Sequence, residues 1–122
     1  MVHHISLTEA QDMTRRYRHN RETILASSYQ NLNLLSYSET FNRAAVDALL
    51  AQPGCTAIRI YYGMDHNLKV HAILVGADAN KQDILPPPPP PGGQAPPEAE
   101  GYLAEQAIRC PPICPPPGIL NG

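Results

Sequence analysis

A chain of 122 residues with nine Lys/Arg, eleven Asp/Glu and a net charge of −2 lacks the strong basic excess of a dedicated nucleic-acid binder. No apolar run approaches the roughly 18 residues of a membrane span, and Met1–Glu9 has no basic segment leading into an apolar one, as a secretory signal requires. Three cysteines without such a signal point to a cytoplasmic protein with mainly reduced thiols.

Thirteen of the fourteen prolines lie at or after Pro86. Proline has no N–H and a fixed φ, so this break separates a compact, patterned part (1–85) from a proline-rich extension (86–122) that is not expected to build ordinary helix or sheet. The first part carries eight Lys/Arg and eight Asp/Glu; Arg109, Glu98, Glu100 and Glu105 of the extension make up the remaining charge. A domain of about 85 residues folds with a marginal core, which gives packing of the extension or self-association a role in stability.

In chain order, Ser6-Leu-Thr-Glu9 fits a capping box. Ala10, Met13, Tyr17 and Ile24 then recur at helical spacing, which predicts a helix over 7–25 with one apolar stripe. Arg15, Arg16, Arg18 and Arg21 fall on its opposite face. Such a run is usually a solvated helix face, and it is also a candidate contact for an anion or an acidic partner. Residues 26–37 read as a polar connection anchored by Leu32, Leu34 and Leu35. Ser38 is placed to cap a second helix over 39–51 that buries Phe41, Ala45, Ala48 and Leu49, with Leu50 at the margin of that side, and pairs Glu39 with Arg43, until Gln52-Pro53-Gly54 stops it.

Cys55–Tyr62 and Lys69–Ala77 alternate and are rich in β-branched and aromatic residues, with a turn at Gly63–Asn67 between them, so they predict a β-hairpin. A lone hairpin is marginal, so both helices are expected on one of its faces. The returning strand is apolar on both sides through Ile73, Leu74 and Val75, and its second face therefore calls for the extension, a further strand or another subunit. Arg59, Tyr61, His71, Ile73 and Val75 are the candidate contacts of that face.

Among groups that carry chemistry, Cys110 and Cys114 come first, as a redox pair or half of a metal site. Along polyproline II, four steps separate their α-carbons by roughly 12 Å, whereas a disulfide spans less than about 7 Å. The spacing therefore favours unpaired thiols unless the chain turns tightly at Ile113. Cys55 and His71 form a conceivable nucleophilic pair, with a buried cysteine and a half-exposed histidine as the plainer reading. His3 and His4 read as a solvated terminus. Asp78-Ala-Asn80-Lys-Gln-Asp83 departs from a calcium loop at its sixth and twelfth positions, Asp83 and Pro89, and reads as an Asx-type turn. Pro86–Pro91 is a stiff rod, suited to an aromatic groove or to a spacer, and 97–109 is expected to hold a short amphipathic turn through Tyr102, Leu103 and Ile108.

The segment Gln52-Pro-Gly-Cys-Thr-Ala-Ile-Arg-Ile-Tyr-Tyr-Gly-Met-Asp65, with Ile73-Leu-Val-Gly-Ala-Asp-Ala-Asn80, Cys110-Pro-Pro-Ile-Cys114 and the Ile5-Ser-Leu-Thr-Glu-Ala helix start, resembles a family of small bacterial proteins of the Bacteroidetes type. The resemblance implies a bacterial, cytoplasmic protein. It carries over no catalytic residues, and the hexaproline is not part of the likeness.

These readings converge on an α+β fold, two helices on an antiparallel hairpin-based sheet, followed by the proline-rich extension. The expected function is a non-catalytic protein-interaction or assembly module, self-associating through the sheet, with no cofactor, no metal and no membrane partner. The alternative is a thiol-based redox or metal-responsive protein acting through Cys110 and Cys114. A third reading is a small enzyme or ligand binder with a cleft between the helices and the Arg59/Tyr61/His71 face.

Overall fold

The computed structural model describes residues 3–86, 103–104 and 107–121, the pair 103–104 in its backbone alone. The fold is α+β, as the sequence implies. Helix α1 (Leu7–Asn20) starts at Ser6, whose Oγ accepts the Glu9 N–H at 3.0 Å. It ends five residues before the predicted boundary, because Arg21 turns inward: the residue is only 7 % exposed, and its guanidinium donates to Leu35 O at 2.6 Å and Asn33 Oδ1 at 3.3 Å. The predicted apolar stripe is not a core face, since Met13 and Ile24 are exposed. Tyr17 makes the connection instead, donating its hydroxyl to Ser36 O at 2.7 Å. Helix α1 is thus laid against the 33–38 segment and not on the hairpin.

The second helix is also shorter than expected. Ser38–Thr40 forms strand β1, and α2 spans Arg43–Leu50 behind Asn42. The predicted Glu39–Arg43 pair is replaced by Arg43–Asp47 at 3.2 Å, because strand geometry sends Glu39 elsewhere. Gln52-Pro53-Gly54 ends the helix as read, with Gly54 at φ +79°, a conformation that glycine adopts without cost.

The hairpin is β2 (Ala57–Met64) and β3 (Val70–Ala77), paired antiparallel from Ala57↔Ala77 to Met64↔Val70. Its turn is held by Asp65, whose Oδ1 accepts the N–H groups of Asn67 (2.8 Å) and Lys69 (3.0 Å). The same device closes the next turn: Asp78 Oδ1 accepts from Asn80 and Gln82, the Asx turn expected there. Two short strands pair with β3 on the side away from β2, β4 (Asp83–Ile84) at its Gly76–Ala77 end and β5 (Leu103–Ala104) at Leu74–Val75. Strand β6 (Ile108–Cys110) pairs with β1. Strands therefore do form within the extension, contrary to expectation, and they use its proline-free stretch from Glu98 to Cys110. Tyr102 and most of the expected 97–109 turn, like Pro87–Pro91, lie outside the described residues.

The core is small. Leu49 of α2 and Leu74 of β3 are its buried centre, with Phe41, Ala45, Val46 and Ile58 packed around them. Among the described residues, helix α2 and the preceding Phe41 cover this face. Its C-terminal end approaches β3 so closely that a Cβ on Gly76 would lie 3.0 Å from Cys55 Sγ and 3.4 Å from Leu49 O, which explains glycine in the middle of a strand. Val75, on the opposite face, is fully buried within the chain itself. Replacing Leu49 by Ala empties the centre of this core, and we expect urea denaturation to give a stability loss of about 3 kcal/mol. A change below about 1 kcal/mol would mean that α2 is not the principal cover of the sheet.

Candidate functional site

The strand register sets which backbone groups face which edge. Asp65 N–H donates to Lys69 O at 3.0 Å, so with the observed pairing the odd-numbered residues of β2 and β3 exchange the hairpin's bonds and the even-numbered ones point outward. On the β3 side every outward position is taken. Val70 N–H donates to Leu34 O at 2.8 Å, Ala72 N–H to Glu39 Oε2 at 2.7 Å, Leu74 pairs with β5 and Gly76 with β4. On the β2 side the outward residues are Ile58, Ile60, Tyr62 and Met64, and among the described residues no strand pairs there. Ile58 lies under α2, but Ile60 is 52 % exposed, Tyr62 79 % and Met64 63 %. An eight-residue edge with a row of exposed apolar side chains is the most unusual surface in the described fold, since natural edges are normally short, charged or covered.

Behind this edge lies a cluster of charged groups. Glu39 of β1 and Arg109 of β6 are cross-strand partners. Arg109 donates through Nη1 to Val70 O and through Nη2 to Asn33 O at 3.0 Å. Glu39 Oε1 is buried, has no hydrogen bond among the described residues, and lies 3.7 Å from both Arg109 Nη1 and His71 Nδ1. His71 Nε2 bonds Asp65 Oδ2 at 2.7 Å, and that bond holds the Asp65 carboxyl at a pKa of about 2. Both ring nitrogens of His71 thus face carboxylates, and the imidazole is committed to structure. Cys55 sits at the opposite end of the hairpin with its Sγ against Ala57 O, so no Cys55–His71 pair is assembled.

Arg59 and Tyr61, assigned with His71 to one face of the hairpin, converge on Asp83 of β4. The Tyr61 hydroxyl and the Arg59 guanidinium lower the Asp83 pKa, and the same bonds raise those of Tyr61 and Arg59. The register places Arg59 opposite Val75 and Tyr61 opposite Ile73, with His71 opposite Gly63. Of the expected second-face contacts, Val75 is buried and Ile73 half-buried, so the chain satisfies most of that face internally. The recess of about 270 Å³ beside His71 is lined by Gly63, Met64, Asp65 and Ile73 and includes neither Arg59 nor Tyr61, so the cleft required by an enzyme or ligand-binder reading is not formed from those residues.

Cys110 and Cys114 are joined in a disulfide with α-carbons 4.6 Å apart, which corrects the expectation of unpaired thiols. The chain turns here instead of running as a rod: Ile113 N–H donates to Arg109 O at 3.0 Å, with cis peptides at Cys110–Pro111 and Pro111–Pro112. Cys110 is buried and Cys114 exposed. Neither sulfur is a thiolate in this state, and no cluster of three or more metal-ligating side chains occurs among the described residues. Beyond the loop, Pro115–Asn121 lies along Thr14, Tyr17, Arg18 and Tyr37 and walls a groove of about 490 Å³.

The four arginines separate. Arg15 is solvent-facing, 3.7 Å from Asp12, and Arg16 is exposed. Arg18 donates to Leu120 O, while Arg21 lies 4.1 Å over the Tyr37 ring and 3.0 Å from Glu22. They do not form one anion-binding face. Sequence reasoning missed the roles of Glu39, Arg109 and Asp83, whose partners are distant in sequence, and that of Asp65, whose partners Asn67, Lys69 and His71 are close by; an acidic residue inside the predicted Gly63–Asn67 turn was the available signal for it.

No helix among the described residues is long and apolar enough to cross a membrane. Comparison with family models, curated proteins and solved structures returns no match.

The Asp65 shift gives a pH prediction. Its folded pKa of about 2 lies below the unfolded value near 3.8, so its contribution to stability is fully present above about pH 4 and is lost as pH falls toward 2. Asp65→Asn should flatten stability against pH across that window. An unchanged acid limb in denaturation titrations would contradict the assignment.

Proposed function

We propose that this protein is a non-catalytic interaction module that binds an extended protein segment by strand addition to the free edge of β2. The observation that carries the reading is the contrast between the two sheet edges. Each outward position of β3 is occupied by a strand, a loop carbonyl or a side chain, whereas β2 presents outward N–H and C=O groups beneath exposed Ile60, Tyr62 and Met64. Strand addition derives its affinity from such main-chain groups and its selectivity from alternate side chains. Residence in the cytoplasm and kinship with the small bacterial family belong to this reading.

The test uses a synthetic peptide of residues 58–66 flanked by lysines, titrated into the full chain and followed by amide NMR. Shifts should concentrate at Ile60, Tyr62 and Met64. Ile60→Pro removes an outward donor while sparing the β2–β3 ladder, and it should weaken binding at least about tenfold with the circular dichroism unchanged. Peptide binding unaffected by Ile60→Pro, or no binding at all, would overturn the reading.

The disulfide favours a second reading, a thiol-based switch. A thiolate of dithiothreitol would attack the exposed Cys114 Sγ and expel Cys110 as thiolate; the reagent's second thiol then closes its own ring and releases Cys114. Because Tyr37 N–H bonds Cys110 O at 2.6 Å, this reading expects reduction to speed amide exchange at Tyr37 and through Pro115–Asn121 while leaving β2 and β3 unchanged. Identical exchange in oxidised and reduced protein would remove it.

A further inference from the structure

We infer that the segment received by β2 is β2 of a second copy, paired antiparallel about a two-fold axis at Tyr62; this rests on the strand-addition reading and specifies its partner. Outward bonding by even-numbered residues admits only registers in which an even residue faces an even one. With the axis at Ile60, Tyr62 faces the partner's Ile58, already covered by α2. Placing it at Tyr61 sets Met64 against that same covered position. An axis at Arg59 opposes two guanidinium groups.

Centring on Tyr62 matches every exposed apolar residue of the edge with another. Tyr62 faces the partner's Tyr62, and Ile60 faces the partner's Met64 on both sides of the axis, each pair exchanging N–H···O=C bonds. These side chains are 52–79 % exposed in the single chain, so their burial is a net gain, and aromatic cross-strand pairs add to it.

The other sheet face also accepts this register. Arg59, the only charge within β2, faces the partner's Asp65 and not another cation. Tyr61 faces the partner's Gly63. Side chains crowd most in such non-hydrogen-bonded pairs, and here one partner has none; the Ile73 side chain leans over Gly63, within 2.8 Å of where a Cβ would stand, and gives the Tyr61 ring an apolar surface beside the recess. The pairing is isologous and closes both free edges, so it yields a dimer and not a fibre.

The experiment is disulfide scanning of the full chain in a Cys55→Ser background, with sedimentation velocity in parallel. Tyr62→Cys should cross-link to itself under air oxidation. Ile60→Cys and Met64→Cys should not cross-link alone but should do so when mixed. Tyr62→Ala should raise the dimer dissociation constant roughly tenfold or more, as truncation of a central aromatic does. A dimer that cross-links best through Ile60→Cys or Tyr61→Cys alone overturns the register. A chain that stays monomeric at millimolar concentration yet binds the 58–66 peptide through β2 overturns the self-pairing and leaves strand addition standing. A monomer whose edge amides ignore the peptide removes both.

Discussion

The rest of the structure depends on how Arg109 and Glu39 complete the outer edge of β3. A strand that is half-buried at Val70–Ile73 and buried from Leu74 to Ala77 cannot leave its shielded main-chain polar groups unpaired without a cost of order 1–3 kcal/mol each. Neither neighbouring strand reaches the first half of β3, since β4 and β5 pair only from Leu74 onward. Glu39 supplies an acceptor to Ala72 N–H, and Arg109 a donor to Val70 O. Two side chains of a separate two-stranded ribbon thereby stand in for a missing strand, and their mutual attraction reduces the penalty of burying each charge.

That arrangement explains why the proline-rich extension belongs to the fold. Its proline-free stretch provides β5 and β6, the two elements that finish β3, and the Cys110–Cys114 loop turns the chain directly after β6. Arg109 immediately precedes the bridged Cys110, so the loop fixes the backbone from which the guanidinium reaches Val70 and Asn33. Pro115–Asn121 then runs back across Tyr17 and Arg18, tying α1 to the extension through the Arg18–Leu120 hydrogen bond.

Among the described residues, one sheet edge is closed by many small devices and none is devoted to the other. With Leu49 and Leu74 as the buried core cluster, the domain buries little apolar surface, and further burial at β2 would be a substantial addition at this size. A thin core and an uncovered apolar edge are two aspects of one economy of sequence. Both are relieved if the sheet continues into a second molecule.

Local chemistry determined what the sequence could reveal alone. Alternation and β-branching gave the hairpin, the Asx pattern gave the turn after it at Asp78, Ser6 gave the first helix start and Pro53-Gly54 the second helix end, because each depends on neighbours within a few residues. The two-sided apolar run Ile73–Val75 marked β3 as central, and the break at Pro86 marked the extension. Tertiary structure decided the rest. Ser38–Thr40 became a strand because β6, seventy residues on, pairs with it, overriding a good helix cap. Arg21 left the solvated face because carbonyls of the 33–38 segment receive it. Arg59 and Tyr61 turned to Asp83, not His71, because β4 folds back beside β3. Cys110 met Cys114 because a backbone turn replaced the extended rod that proline composition implied. Each is a long-range competition for hydrogen bonds or charge, and no periodicity within one segment encodes its outcome.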